Sequence, residues 1–395
     1  MISIKNHEIV IDNKTYKSIR GDEAYWTNYK NESYGYKIIP RKSAKEAESL
    51  RDDCKYIQKL NLDIFPKIYD VSICQDTEAR TPFDRHLVCV QCDIIKDKPT
   101  SDKDIAKCIH AIVKNKLFSS DTWYKYSNKE RARNIYGDVI IDFHSFKYAP
   151  EKYSFHTNVS KEDLREIYNK SLKRYKARGD DKWKGTIYQG MNFSNGFMMP
   201  GYSSDEKIYD SYRKFLFCHY HKYNNARVLD VGSNQGFFTF QAALAGAKHI
   251  DSIEQCEEDM LLAKEIQNTL AFKVPVDWHL TDANKFVLET RKKYDLVLLL
   301  SVIHQIYPDF NNIKDFITRI RKMCKMAIIE TPINHPRVRL TGEEVVKKLK
   351  KHFPRESSSR MVRPLYTYNA YSKGERLLIA CYCDNYVCDG AGNVS

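Results

Sequence analysis

Through the second half of the chain, strand-length apolar runs alternate with segments whose apolar residues fall three and four apart. Val228–Val231, His249–Ile253, Val276–Leu280, Tyr294–Val302 and Met326–Ile329 predict five strands. Between them, Phe237, Phe240, Ala243 and Leu244 repeat at helical spacing, and a further helix is predicted from Ile313 to Cys324. Tyr294–Val302 reads YDLVLLLSV, far shorter than the roughly 20 residues a membrane span needs, and is expected to be the central strand. Two late alternating segments, Leu365–Tyr371 and Arg376–Cys383, flank Ser-Lys-Gly and predict a hairpin on the sheet edge. Strands that alternate with helices imply an α/β fold, a Rossmann-like sheet with helices on both faces and a ligand at the carboxyl ends of the strands.

The first half reads differently. Strands are predicted at Ile2–Ile11 and Thr15–Ile19 around an Asp-Asn turn, at Tyr34–Ile39, at Phe65–Val71 and at His86–Ile94. Helices are predicted at Ser43–Leu60 and Asp102–Asn115. A helix from Ser160 to Arg178 opens on a Ser160/Asp163 capping box, carries the stripe Leu164, Ile167, Tyr168, Leu172 and Tyr175, and stops at Gly179. The expected organisation is an α+β domain over 1–150, a helical linker over 151–185, an α/β domain over 186–384 and a flexible tail over 385–395.

The densest chemical signal lies between Arg227 and Gln255. A strand carrying Asp230 runs into a turn with Gly232, Ser233 and Asn234, and Gly236 and Phe237 open a helix. The next strand ends at Glu254, about 20 residues after the turn, where a carboxylate can accept both hydroxyls of a ribose. The spacing is D-x-G-x-x-x-G rather than the G-x-G-x-x-G that admits a pyrophosphate, and an acid at Asp230 suits a cationic, zwitterionic ligand. S-adenosylmethionine is therefore the expected cofactor. Asp282 and Ala283 follow the third strand, where an acceptor and an amide could read an adenine edge. Ser301, His304, Gln305 and Tyr307 follow the central strand, and Glu330 ends the fifth. Methyl transfer from a sulfonium is an in-line displacement, for which His304 is the expected base or orienting group.

These residues resemble the class I (Rossmann-like) S-adenosylmethionine-dependent methyltransferases. Within them the chain is most similar to the methyltransferase half of the O-antigen chain-terminating methyltransferase/kinase enzymes. The similarity rests on IYQGMNFSNGF from Ile187, VLDVGSNQGFF from Val228, LLLSVIHQI from Leu298, AIIETPI from Ala327 and RPLYTYNAYSKGERLLI from Arg363. RNA 5′-phosphate methyltransferases are also similar around the fourth and fifth strands. The resemblance implies a lid formed in part by Tyr188 and Gln189, and an anionic or phosphorylated acceptor, a glycan or RNA, methylated on oxygen. Glu330, Arg360 and Arg363 are the candidate acceptor contacts.

The first half resembles a protein-kinase N-lobe: Lys37 on a strand, Glu46 and Glu48 on the following helix, then Asn134 and Asp142 as the metal-binding pair. It departs from that pattern because no glycine-rich phosphate loop is present and Lys129 stands where the catalytic Asp belongs. A degenerate kinase-like domain that transfers no phosphate is expected, which leaves a binding or scaffold module as the alternative to an enzyme.

The chain has 395 residues and a formal net charge of +13, so its surface should attract polyanions. The 27 tyrosines are scattered, not gathered on a basic ribbon. A lysine run at 347, 348, 350 and 351 follows a second capping box, Thr341/Glu344. Of the 11 cysteines, Cys89 and Cys92 are three apart on a strand and point to opposite faces, and Cys381 and Cys383 lack a nearby fourth ligand. No metal is expected, the thiols should be reduced, and the location should be cytoplasmic, with no transmembrane segment.

Overall fold

The structure is a computed structural model. It describes the chain except residues 1, 6–7, 12–13, 17–26, 31–33, 76–85, 95–101, 120–125, 128–130, 133–134, 137, 141–142, 178–185, 204–222, 308–309, 311, 334–337, 353–361, 370–374 and 384–395. It forms two compact units, Met1–Ala149 and Pro150–Ser395. Among the described residues no helix is long and apolar enough to cross a membrane.

In the first unit the segment expected as one strand over Ile2–Ile11 is two, Ile2–Lys5 and Glu8–Ile11, paired antiparallel and joined by Lys14–Tyr16. A four-stranded antiparallel sheet holds Thr27–Lys30, Gly35–Arg41, His86–Cys92 and Ile68–Gln75 in that spatial order. The helix Ala44–Leu60 starts where the Ser43 side chain accepts from the Glu46 amide, and buries Ala47, Leu50, Cys54 and Ile57. Lys37 is buried, with Nζ 5.6 Å from the Phe143 ring centre. Glu46 and Glu48 are exposed. Both lie at helix positions away from the buried stripe. Lys129, Asn134 and Asp142 lie outside the described residues.

The second unit is built on seven strands: β1 (Arg227–Val231), β2 (His249–Glu254), β3 (Val276–Leu280), β4 (Tyr294–Leu300), β5 (Cys324–Ile333), β6 (Val362–Asn369) and β7 (Glu375–Tyr382). Their order is β3-β2-β1-β4-β5-β7-β6, parallel from β3 to β5 and antiparallel beyond. The late hairpin sits on the edge of the sheet, as expected. Its second strand, β7, pairs with β5 from Met326 to Ile333, and β6 is outermost. Leu296 to Leu300 are all buried, as a strand covered on both faces requires.

Seven helices complete the part of this unit that positions the site: α1 (Lys161–Ala177), α2 (Phe237–Leu244), α3 (Glu257–Gln267), α4 (Ala283–Glu289), α5 (Ile303–Ile306), α6 (Lys314–Met323) and α7 (Gly342–Lys350). Ser160 caps α1, accepting from the Asp163 amide at 3.1 Å, and Thr341 with Glu344 forms a capping box on α7. α1 is bound to α3: Arg174 makes two hydrogen bonds to the Glu265 carboxylate and Tyr175 donates to Asp259 Oδ1 at 2.5 Å. The cysteines described are free thiols, and Cys381 and Cys383 are fully buried.

Candidate active site

The turn after β1 is built by backbone that ordinary residues avoid. Gly232 (φ 71°), Asn234 (φ 52°) and Gly236 (φ 80°) are all left-handed, in the five-residue turn between β1 and α2. A Cβ on Gly236 would stand 2.9 Å from Phe240 Cζ and 3.0 Å from Trp278 Cη2. Gly236→Ala should therefore cost about 1–2 kcal/mol for the left-handed backbone alone, plus a clash, and should lower the urea midpoint of this unit.

Two carboxylates flank the turn. Asp230 is 2% exposed, and its Oδ2 accepts from Thr239 Oγ1 at 2.7 Å; the same hydroxyl lies 2.8 Å from Ser252 Oγ. Burial pushes the Asp230 carboxyl up to about 7, against the Thr239 hydrogen bond and helped by the nearby Glu254 charge. Glu254 is held at three amides: Asn234 N donates to Oε2, and Gln255 N and Cys256 N donate to Oε1, each at 2.8 Å. Burial raises its pKa nonetheless, the amide donors opposing.

A second group lies at the carboxyl end of β4. Ser301 adopts φ 62°, and its Oγ is shared between Glu330 and Arg376, with Arg376 Nη1 at 2.6 Å. His304 follows on α5 and is 6% exposed. The two groups adjoin, because a Cβ on Gly232 would stand 2.9 Å from Val302 Cγ2. Asp230, Gly232, Ser233, Asn234, Gly236, Phe237, Glu254, Ser301 and His304 are thus brought to neighbouring strand ends, as the parallel order of β2, β1 and β4 requires.

The other expected residues take the following places. Glu330 was expected at the acceptor but is fully buried, with Arg376 Nη1 3.4 Å from its Oε1; a carboxylate at that depth needs a cation, and Arg376 supplies it. Asp282 was expected to read an adenine edge through its side chain, yet its Oδ1 accepts from the Lys285 amide at 2.8 Å as the N-cap of α4, with Ala283 the first residue of that helix. Arg360 lies outside the described residues, and Arg363 is described only as a backbone position on β6 opposite Ala380. Tyr188 enters through its backbone, whose N–H donates to Gln235 Oε1 at 3.1 Å.

Sequence reasoning missed Gln235, Asp259 and Arg376 as site residues. Gln235 is 1% exposed; its amide nitrogen donates to Tyr175 Oη at 3.1 Å and to Asp259 Oδ1, while Asn234 Nδ2 donates to Asp259 Oδ2 at 3.3 Å. One network therefore ties α1, α3, the Tyr188 strand (Ile187–Gln189) and the glycine turn together. A polar residue in the turn next to a glycine was the only local sign of it.

The turn fits a ligand with an amino acid and a ribose. Two buried carboxylates flank it, and Ser233 Oγ and Asn234 Oδ1 are buried without a hydrogen-bond partner among the described residues. Residues 222–362 match a family model described as a methyltransferase domain. The C-terminal unit carries that domain, and S-adenosylmethionine is the cofactor it implies. No curated protein matches the chain. Among solved structures it is similar to WbdD, at 19% identity over 42% of this chain and 39% of that one, with a TM-score of 0.34. Another structure, of the bifunctional kinase-methyltransferase WbdD, shares 19% identity over 42% and 38%, with a TM-score of 0.32. A SAM-dependent methyltransferase from Agrobacterium tumefaciens shares 14% over 40% and 56%, at 0.30. The chain thus spans about two fifths of the length of the WbdD structures it matches.

The raised Asp230 pKa has a testable sign. In the free protein the carboxyl is largely protonated below about 7, and a cationic ligand group favours its ionised form, so cofactor affinity should rise between pH 6 and 8. Asp230→Asn should flatten that slope in titration calorimetry. The same shift makes folding weaker as pH rises, since the folded state holds a proton that the unfolded chain has already released between the usual carboxylate range and about 7.

Proposed function

We propose that the enzyme methylates an oxygen of an anionic or phosphorylated acceptor, a glycan terminus first and RNA (a 5′-phosphate or ribose) second. The observation that carries the reading is the pair of buried carboxylates, Asp230 and Glu254, on either side of a left-handed glycine turn. In this reading Asp230, Gly232, Ser233, Asn234, Gly236, Phe237, Glu254, Asp282, Ala283 and Ser301 hold the cofactor, Asp282 at the start of α4 where its own cap leaves the adjoining backbone of Ala283. When bound, S-adenosylmethionine supplies an electrophilic methyl group. Glu254 fixes the amides of the turn, and Ser301, held by Arg376 and Glu330, shapes the adjoining strand end. His304 takes or orients the proton of an acceptor hydroxyl; a phosphate oxygen needs no base and would call on Arg363 and Arg360 instead. The net charge of +13 favours such an acceptor.

The N-terminal unit we read as kinase-like in element order and inactive in phosphotransfer. The support is the order strand, helix, two strands, helix, with Lys37 buried on the strand before the helix and both helix glutamates exposed. On the alternative reading this unit recruits a partner and the methyltransferase unit serves as a scaffold.

Transfer of labelled methyl into cell-extract fractions, compared between wild type and His304→Ala, tests the proposal. Label confined to glycolipid or to RNA, and reduced about 10²-fold or more by the substitution, is expected. Intact cofactor binding with no label in any fraction would favour the scaffold.

A further inference from the structure

We propose that His249, Asp251 and Asp277 form a binding site for a first-row divalent transition-metal ion of the zinc type, separate from the methyl-transfer site. The parallel pairing of β2 and β3 sets Asp251 opposite Asp277, and the two-residue period puts His249 on the same face as Asp251. One ligand atom from each of the three lies within 4.8 Å of the others. His249 Nε2 is 3.2 Å from Asp277 Oδ2 and 3.6 Å from Asp251 Oδ2. Metal bonds of about 2.0–2.2 Å at tetrahedral angles place neighbouring ligand atoms about 3.3–3.6 Å apart, so these separations already match a coordination edge.

The independent sign is an unmet demand inside the cluster. Asp251 is fully buried; its Oδ1 is bound by His279 Nε2 at 2.7 Å and Lys292 Nζ at 2.6 Å, the Tyr294 hydroxyl also favours its ionised form, and its Oδ2 makes no hydrogen bond of good geometry. His249 Nε2, on the side facing that oxygen, makes no hydrogen bond either. An imidazole nitrogen and a buried carboxylate oxygen 3.6 Å apart, neither of them hydrogen-bonded, are answered together by a cation that accepts both lone pairs. Lys292, which also lies 3.3 Å from Asp277 Oδ2, carries the compensating charge in the metal-free protein. It is 39% exposed, so its ammonium can withdraw towards water as an ion binds. His279 then acts as the partner that orients the Asp251 carboxylate.

The ion would be structural. β3 is an edge strand with one neighbour, and the site clips it to β2. Glu254 belongs to the far end of β2, three positions beyond Asp251, so the proposal does not rest on the methyltransferase reading.

The test is a titration of the metal-free full chain with Co²⁺, read by visible absorption, followed by displacement with Zn²⁺. One ion per chain is expected. Loss of an orienting partner costs about 10–100-fold in metal affinity, so loss of a ligand in His249→Ala should cost at least that much. Asp277→Asn, at a half-exposed position, should weaken binding likewise without threatening the fold, and Lys292→Met should tighten it. S-adenosylmethionine binding should stay intact in His249→Ala, which separates failure of this site from failure of the cofactor site. No ion bound, or equal affinity in wild type and His249→Ala, would overturn the proposal.

Discussion

Asp230→Ala and Glu254→Ala should each remove detectable S-adenosylmethionine binding in titration calorimetry while leaving the far-ultraviolet circular dichroism of the folded chain in place. A hydrogen bond to a charged group contributes about 1.5–3 kcal/mol, so losing one such contact weakens binding by about 10–150-fold. Glu254 does more than meet a ligand, since it also holds the amides of Asn234, Gln255 and Cys256. Its removal frees the turn whose left-handed backbone must be in place before any ligand arrives. Glu254→Gln, which keeps an acceptor oxygen but not two, should fall between wild type and Ala. Binding retained in both alanine variants would sink the cofactor assignment for these residues.

Arg376→Met should destabilise the C-terminal unit by about 3–5 kcal/mol, because it takes the Arg376 cation away from a buried carboxylate. Glu330 is fully buried, and Arg376 is the cation within salt-bridge distance of it among the described residues. Exposed ion pairs such as Lys107 with Asp138 should be worth only about 0.2–1 kcal/mol. Urea unfolding followed by a probe confined to this unit measures the loss. Glu330→Leu in the Arg376→Met background should recover most of it, since replacing both charges removes the buried orphan. Recovery of stability without recovery of methyl transfer would show that the pair also sets the Ser301 turn. Recovery of neither would mean that the arginine contributes chiefly through packing of its stem.

What the chain determines by itself is local. The strands from Val228 to Ile329 are visible because each is short, apolar and bounded by a helical repeat. The caps at Ser160 and Thr341 are visible because a side chain and the amide it meets are three residues apart. The glycine turn is visible because only glycine, or occasionally asparagine, takes left-handed backbone cheaply, and Gly232, Asn234 and Gly236 occupy it. Local reading leaves open which of two uses a residue takes. Asp282 fits an adenine acceptor and an N-cap equally well on spacing, and in the fold its side chain caps α4.

Tertiary structure decided the rest. Arg376 meets Ser301 across 75 positions, and Tyr175 meets Asp259 across 84. No periodicity encodes such pairs, because chain separation carries no information about which strands become neighbours. The place of β7 between β5 and β6 was decided in the same way, and with it the burial of Glu330. Its sequence position at a strand end looked like a ligand contact, but whether a carboxylate there meets solvent, a substrate or an arginine depends on what packs over it.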